Sequence, residues 1–506
     1  VEAVSLDRGR PAGYRARIDI PAPTPAAAPS DPAGAPSGER LHSELSLVDA
    51  SAFSVGLIGP VGAIGLLGTG AALVIGRAVT LSFVFALVGV ALVAYCFIKL
   101  SQHISHTGSV YALVGVTLGP QAGFFAGWAL MGAYTAICCG STIEIGLFGQ
   151  QFLNGTFGVH ITQWWWLALI GFLLFGALAF SEIRLITRAL LTSEVIGAIL
   201  VTILSIVILA KVIFGHGPHG QTFTIDFLAL PHGSGVGTIA KSAVYGFLAF
   251  AGFEGAAALG EETSNPKREI PRAIKTAVIV VGIFYLLTAA AQSLGYGATA
   301  SGAAAYAAGL PFTDLGGGYI GAWYADILNL MATISLFAIS LGTASGAARI
   351  MYAQARDATG TRTGLAGLSK NGAPAAAMVV VLIVIGINLI SEQLVGQSVL
   401  NATFSALQVG TVLILVAYVL ATIGAIWFLF LKGPAKAPMW QIAVPIIGAA
   451  FVCYTIYRNV FIDQTGALHN TPYIEVVFLV VGLAVVLVVP GLAGRVRAGL
   501  AAGNAP

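Results

Sequence analysis

The sequence predicts an all-α polytopic membrane protein with about twelve transmembrane helices. Three observations predict it. Only 9% of the 506 residues are charged and 57% are apolar, against roughly 25% charged in an average soluble domain. The mean hydropathy is +0.89. The apolar residues also fall in long continuous runs, and a bilayer core needs about 20 apolar residues per helix. This composition excludes an ordinary soluble enzyme, a coiled coil and a disordered chain. The run length excludes an outer-membrane barrel, whose strands are roughly 10-residue alternating segments.

Taken in order, residues 1–42 are rich in Ala, Pro, Ser and Arg and carry no apolar run. They read as a disordered cytoplasmic tail. No basic start leads into an apolar stretch, so the first span is expected to direct insertion. Twelve spans follow, at 47–74, 78–100, 119–149, 162–183, 187–214, 236–262, 271–293, 323–353, 374–392, 399–431, 440–458 and 473–493. With a cytoplasmic N-terminus, 20 of the 24 Lys and Arg residues lie on the inner side. Outside fall only Arg77, Lys211, Lys241 and Arg458. A missed or invented helix would flip every later loop, so this bias supports both the span count and the orientation. The C-terminal tail, 494–506, is then cytoplasmic, and the expected location is the inner, cytoplasmic membrane.

Some spans carry more than hydrophobicity. The first reads SVGLIGPVGAIGLLGTGAALVIG over 54–76, with Pro60 among repeated glycines. The sixth reads VYGFLAFAGFEGAAALGEE over 244–262, with Gly246, Gly252 and Gly255 around Glu254. These two spans are five apart. If 47–215 and 236–431 are repeats, the two occupy equivalent places. An odd repeat of five spans inverts the second copy in the membrane. A hairpin over 440–493 completes the chain. Gly-interrupted helices at matching places in two halves point to a binding site near the midplane.

An interrupted helix in a bilayer frees backbone groups that protein, water or ligand must satisfy. The first break is expected at Gly68-Thr69-Gly70, where free N–H groups and the positive end of the helix dipole suit a carboxylate. Free carbonyls around Phe250-Ala251 suit an ammonium. A zwitterion answers both. Close helix packing is the competing reading, because Gly56, Gly59, Gly62 and Gly65 also let helices approach. Three carboxylates lie inside spans: Glu144, Glu194 and Glu254. Each costs on the order of 2.5–3.5 kcal/mol at a helix centre and is a candidate proton carrier, or else a buried, hydrogen-bonded structural group.

Other chemistry finds little footing. Cys96, Cys138, Cys139 and Cys453 have no ligand spacing and read as small buried hydrophobes. No HExxH occurs, and no His or Ser/His pair lies in a span, so no enzyme, metal or cofactor is expected. GLLGTG has no strand before it and no Lys after it, which excludes a phosphate-binding loop. The expected partners are the lipid bilayer, a small-molecule substrate, and H+ or Na+, with no nucleic acid.

GFEGAAALGEETSNPKREIPRAI, residues 252–274, closely resembles the helix 6–7 signature of amino acid permeases of the amino acid–polyamine–organocation (APC) superfamily. GLLGTGAAL (65–73) resembles its helix-one break, SHTGSVYALVGVTLGPQAGFFAGWAL (105–130) its helix 2–3 linker, and SGAARIMYAQARD (345–357) the end of its eighth helix. The likeness covers about residues 45–495. It implies a LeuT-like, five-plus-five inverted-repeat core with a C-terminal helix pair, working by alternating access. It implies that a substrate carboxylate meets Gly68, Thr69 and Gly70, and that its ammonium meets carbonyls near Ala63, Ala251 and Gly252. It implies an aromatic gate at Phe247 or Phe250. It also implies side-chain contacts from Tyr134, Cys138 and Ser141, which share one helix face at i, i+4 and i+7.

The chain departs from the family in two places. Span five has no lysine before Lys211, and Gly197 sits near the place of the family's ammonium. A sodium ion held by Ser340 or Thr343 is one consequence, unless those hydroxyls bond their own backbone. The eighth helix ends RDATGTRTG rather than in Gly-Xaa-Leu-Pro after the aspartate. The expectation is an amino acid transporter, with uptake coupled to protons through Glu254. The alternatives are a polyamine or organocation carrier, an amino acid exchanger, and a non-transporting amino acid sensor.

Overall fold

The computed structural model describes residues 55–104, 110–180, 184–255, 265–359, 364–369, 374–462, 464 and 466–502. Twelve long helices form the bundle: α1 (Pro60–Ile75), α2 (Val79–His103), α3 (Pro120–Phe157), α4 (Trp164–Leu178), α5 (Arg184–Ile213), α6 (Val236–Ala249), α7 (Pro266–Tyr296), α8 (Ala322–Thr359), α9 (Ala375–Val395), α10 (Val399–Ile426), α11 (Ala443–Val460) and α12 (Thr471–Val488). Among the described residues there is no strand. Each of the twelve expected spans meets one of these helices. Among the described residues, 10 helical stretches are long and apolar enough to cross a membrane. The first of them, Val55–His103, contains both α1 and α2, joined through the short turn Gly76–Ala78. Trp164–Leu178, which meets the fourth expected span, is a shorter apolar helix.

The helix ends follow local chemistry. Pro120 opens α3 behind Gly119, and Gly158 closes it in the left-handed conformation, its N–H donating to Asn154 O at 3.1 Å. Proline suits a first helical position because its missing N–H would be unpaired there anyway. α7 starts at Pro266, and Pro271, the expected start, lies inside the helix. The expected tail 1–42, the start of the first span and residues 256–264, across the end of the sixth expected span, lie outside the described residues.

α3 packs along both α8 and α10, α2 packs against α6 and α7, and α1 pairs with α6. Small residues set the close approach of α3 and α10. Gly140 lies against Leu407, and Gly410 lies against Ile137 and the Ala133 carbonyl. This suits a bilayer, where contact rather than water exclusion drives helix association. The outer faces are apolar. Ile199, Ile203 and Ile206 on α5 and Ile383, Ile387 and Ile390 on α9 are exposed. In water such stripes would drive aggregation, but against lipid they are the expected surface. Cys96, Cys138 and Cys139 are buried as expected, whereas Cys453 is exposed on α11. Its apolar run is a lipid-facing one, which sequence hydrophobicity does not distinguish from a core-facing one.

At one end of the bundle the helix Val110–Leu118 is tied to the end of α8. The Tyr111 hydroxyl donates to Asp357 Oδ2 at 2.7 Å, and Arg356 Nε donates to Oδ1 at 2.9 Å. Burial, with the Asp357 carboxylate beside it, pushes the Tyr111 phenol up from its ordinary value. The helix Leu492–Ala502 covers this tie, with Leu492 and Val496 buried in one apolar cluster with Tyr111, Ala112 and Phe124. Tyr111→Phe leaves Asp357 Oδ2 without this donor in a buried site. We expect it to lower stability by about 1–3 kcal/mol, read as a fall in the thermal unfolding midpoint in detergent. An unchanged midpoint would show that the tie carries no load.

Candidate functional site

The first break lies at Gly59–Pro60. A helical turn over residues 55–58 stops at Gly59, whose φ of 57° and ψ of 57° are left-handed, and Pro60 opens α1. Glycine takes this conformation without a Cβ penalty. The N–H groups of the new helix all have partners. Pro60 has none to offer. Val61 N–H donates to Glu194 Oε1 at 2.8 Å, Gly62 N–H to Ser335 Oγ at 3.0 Å, and Ala63 N–H to Gly59 O at 3.0 Å. Glu194 comes from α5 and Ser335 from α8. A carboxylate at a helix N-terminus is favoured by the dipole.

The break expected at Gly68-Thr69-Gly70 is therefore corrected, because all three residues lie inside unbroken α1. A Cβ at Gly68 would meet the Tyr306 hydroxyl and Gln292, which bond each other at 2.6 Å. The Thr69 hydroxyl donates to Gly309 O at 3.0 Å, and Gly70 lies against Tyr245 and Phe404. Gly68 and Thr69 seat the helix Ala300–Ala308 against α1, and Gly70 admits α6 and α10, which is the packing role weighed for such glycines. An interior glycine costs a helix only about 1 kcal/mol, too little to break one that is buried. Gly59-Pro60 combines a left-handed residue with a missing N–H, and there the helix does break.

The second break follows α6, which ends at Ala249 and gives way to a turn and a short 3-10 segment through Gly255. The freed Ala249 carbonyl accepts from the Tyr285 hydroxyl at 2.7 Å. Gly252 has a φ of 101°, and a Cβ there would lie 3.1 Å from Leu57 Cγ and 3.2 Å from Ile58 N. The two breaks thus touch. Glu254 sits just beyond and is fully held. Oε2 accepts from the Tyr418 hydroxyl at 2.7 Å and from Gly252 N–H at 3.2 Å, and Oε1 accepts from the Tyr134 hydroxyl at 3.1 Å.

A cavity lies between the breaks. Leu57, Ile58 and Ala63 line it from the first break, and Leu248, Ala251 and Gly252 from the second. α3 contributes Tyr134, Ile137, Ser141 and Glu144, and α8 contributes Leu336, Ile339 and Thr343. Of the residues expected at a site, the fold brings Ala63, Tyr134, Ser141, Ala251, Gly252 and Glu144 together here. Cys138 is turned away, and its Sγ donates to Ser340 O at 3.3 Å. Phe247 and Phe250 do not line the cavity. Phe247 lies against Gly89 of α2, and Phe250 meets Tyr285 of α7 edge-on at 5.2 Å. They sit on the α6 face that packs against its neighbours.

The three carboxylates separate in this site. Glu194 and Glu254 are held by donors behind the cavity wall. Glu144 is on the wall, is 3% exposed, and its Oε1 has no hydrogen-bond partner. The hydroxyls considered for sodium are engaged. Thr343 donates to Ile339 O at 2.7 Å, and Ser340 Oγ pairs with Ser141 Oγ at 2.9 Å. A Cβ at Gly197 would come within 3.0 Å of Val61 Cγ2 and 3.3 Å of Met331 Cβ, so little room is left beside it. Sequence reasoning missed Leu57, Ile58, Ser335 and Tyr418. The Gly59-Pro60 pair, a strong breaker signal, pointed to the first two. Ser335 and Tyr418 lie far off in sequence and carried no local signal.

Comparison with known proteins agrees with this architecture. A family described as amino acid permease matches residues 45–484. A branched-chain amino acid permease of Bacillus subtilis (strain 168) is 28% identical over 344 residues, covering 64% of this chain and 69% of the relative. A methylthioribose transporter of the same organism is 29% identical over 258 residues, covering 49% of this chain and 54% of the relative. A mitochondrial cationic amino acid transporter of Arabidopsis thaliana is 26% identical over 338 residues, covering 63% of this chain and 52% of the relative. The chain thus spans about half the length of the last two.

Proposed function

Because the chain belongs to the amino acid permease family, we propose that it is a secondary active transporter that carries an amino acid or a related amine across the membrane by alternating access. The observation that carries this reading is the contact of two helix breaks, at Gly59 and Gly252, beside one cavity walled by α3 and α8. Unwound backbone at membrane depth is tolerated where it is buried in protein or lines a cavity. Two such breaks at one cavity are the pattern expected of transporters built from inverted repeats. In this reading residues 47–215 and 236–431 are those repeats. The bias of 20 Lys and Arg against four supports a cytoplasmic-membrane protein with both termini inside.

Coupling to protons runs through Glu254 in this reading. It stands at the second break, and Tyr134 spans from it to the cavity wall. A proton arriving at Glu254 changes which of its neighbours donate and so changes how the break is held. Uptake into proteoliposomes of the purified chain tests this, with a proton gradient, a sodium gradient and neither. We expect saturable uptake driven by the proton gradient alone. Glu254→Gln should uncouple uptake from the gradient, by tenfold or more, while exchange against internal substrate persists. An unchanged proton dependence in that variant removes Glu254 as the coupling group. Ligand binding without movement under any gradient would replace the transporter with a sensor.

A further inference from the structure

At the end of the bundle where the helix Val110–Leu118 packs, α10 does not finish as an α-helix. Its last turn, Trp427–Leu431, is π-helix, a wide turn frequent at functional sites. The chain after it folds back beneath that turn. Lys432 N–H donates to Trp427 O at 2.8 Å, and Lys436 N–H to Leu429 O at 2.8 Å. This return places the Lys436 ammonium over the Phe428 ring, 3.2 Å from its centroid. The His103 ring, at the end of α2, meets the same Phe428 edge-on at 6.3 Å. Slight burial, with the Lys432 charge nearby, lowers the Lys436 ammonium from its ordinary value. One turn back on α2, Lys99 Nζ lies 5.8 Å from the centroid of the Tyr95 ring. The Tyr95 hydroxyl in turn donates to Gln441 Oε1 at 2.6 Å, just before α11. α2, α10 and the start of α11 thus gather Lys99, Lys432 and Lys436 at one corner.

Two features set this corner apart from a solvated basic loop. The Lys436 ammonium is held on a ring face, so it loses less freedom on meeting an anion than a loose lysine does. Large apolar side chains also surround it. Trp427 and Leu431 on the π turn, and Met439 and Trp440 before α11, are exposed. Exposed Ile446 and Ile447 continue that surface along α11. Tryptophans beside cations at helix ends are the mark of the headgroup level of a bilayer. In the orientation read from the Lys and Arg bias, this is the cytoplasmic leaflet.

We propose that this corner binds an anionic phospholipid, its phosphate held by Lys432 and Lys436 and its acyl chains laid along the exposed apolar faces of α10 and α11. Basic clusters beside a span on this side attract anionic headgroups. A lipid answers both halves of the surface, because its phosphate meets the lysines while its chains cover Leu431, Ile446 and Ile447. A soluble anion would answer only the first half. The proposal goes beyond the transport reading and depends on no property of the transported substrate.

The full chain, purified in a neutral detergent, is titrated with dioctanoyl phosphatidylglycerol, dioctanoyl phosphatidylcholine or inorganic phosphate while its thermal unfolding is followed. We expect phosphatidylglycerol to raise the midpoint by several degrees and the other two to leave it unchanged. Lys432→Gln with Lys436→Gln should weaken the apparent phosphatidylglycerol affinity by about tenfold. The midpoint without lipid should hold, since both side chains are exposed. Phe428→Leu keeps both charges and removes the ring that holds Lys436, so it should weaken affinity by roughly threefold. Wild-type affinity in Phe428→Leu removes the positioning role of the ring. Equal stabilisation by phosphatidylcholine leaves an apolar lipid surface with no headgroup site. Equal stabilisation by inorganic phosphate makes the occupant a soluble anion. Unchanged phosphatidylglycerol affinity in the double variant places lipid binding elsewhere. Each of the last three overturns the proposal and leaves the transporter reading standing.

Discussion

Gly59→Val is expected to abolish substrate binding and transport while leaving most of the helical bundle assembled. Gly59 has a φ of 57°, in the left-handed region. A β-branched side chain held there costs about 1–3 kcal/mol in backbone strain. The new Cβ would also lie 2.4 Å from both Ile339 Cδ1 and Ile339 Cγ1. Real carbons do not approach so closely, so Ile339 or the break itself must move. Overpacking of this kind costs a further 1–3 kcal/mol or about that. Ile339 lines the cavity together with Leu57 and Ile58, so the displacement falls on the binding surface. Gly59→Ala with Ile339→Ala relieves the steric part and leaves the strain, and should recover part of the binding. The comparison is made by ligand-induced thermal shift and by uptake in proteoliposomes. Uptake near the wild-type rate in Gly59→Val would move the functional break elsewhere.

Glu254→Leu is the second large effect. The substitution removes the acceptor of three groups at once: the Tyr134 hydroxyl, the Tyr418 hydroxyl and Gly252 N–H. All three lie inside the bundle. Each buried donor left without a partner costs about 1–3 kcal/mol, so the variant should lose several kcal/mol, beyond the range of most single substitutions. The expected result is a protein that melts far earlier in size-exclusion profiles recorded after heating. Adding Tyr418→Phe removes one orphaned hydroxyl and should restore part of the loss, a coupling that a double-mutant cycle measures. Glu254→Gln keeps an acceptor for the hydroxyls and should fold. If Glu254→Leu melts with the wild type, the triple hydrogen bond is not holding the second break.

The site was only partly legible in the chain. Tyr134, Cys138 and Ser141 could be placed on one face because a helix repeats every 3.6 residues; Tyr134 and Ser141 line the cavity, as does Glu144, while Cys138 is turned to Ser340 O. Ala251 followed from the glycine interruption of span six, and Ala63 and Gly252 from the family resemblance. The helix-one break was displaced toward Gly68-Thr69-Gly70 because composition shows where a helix is weak and not where its neighbours let it break. At Gly68 the Tyr306–Gln292 pair fills the space a side chain would take and holds the helix straight. At Gly59 the N–H groups released by the break find Glu194 and Ser335. Phe247 and Phe250 stand away from the cavity for a related reason. An aromatic ring on a short helix before a break can turn either way, and packing against Gly89 and Tyr285 turned both from the cavity.

The sequence alone determined that this chain is an all-α polytopic membrane protein, because a bilayer imposes one length and one polarity on every span, and both are written locally. It also determined the family, through motifs that lie within single stretches of chain. The tertiary structure alone decided which carboxylate faces the cavity and which are held behind it. Glu144, Glu194 and Glu254 look alike as intramembrane acids. They differ because α1 brings Val61 N–H to one, Tyr134 and Tyr418 reach another, and no donor reaches Oε1 of the third. Those partners come from helices distant in sequence, and a hydrogen bond between them exists only once the bundle has closed.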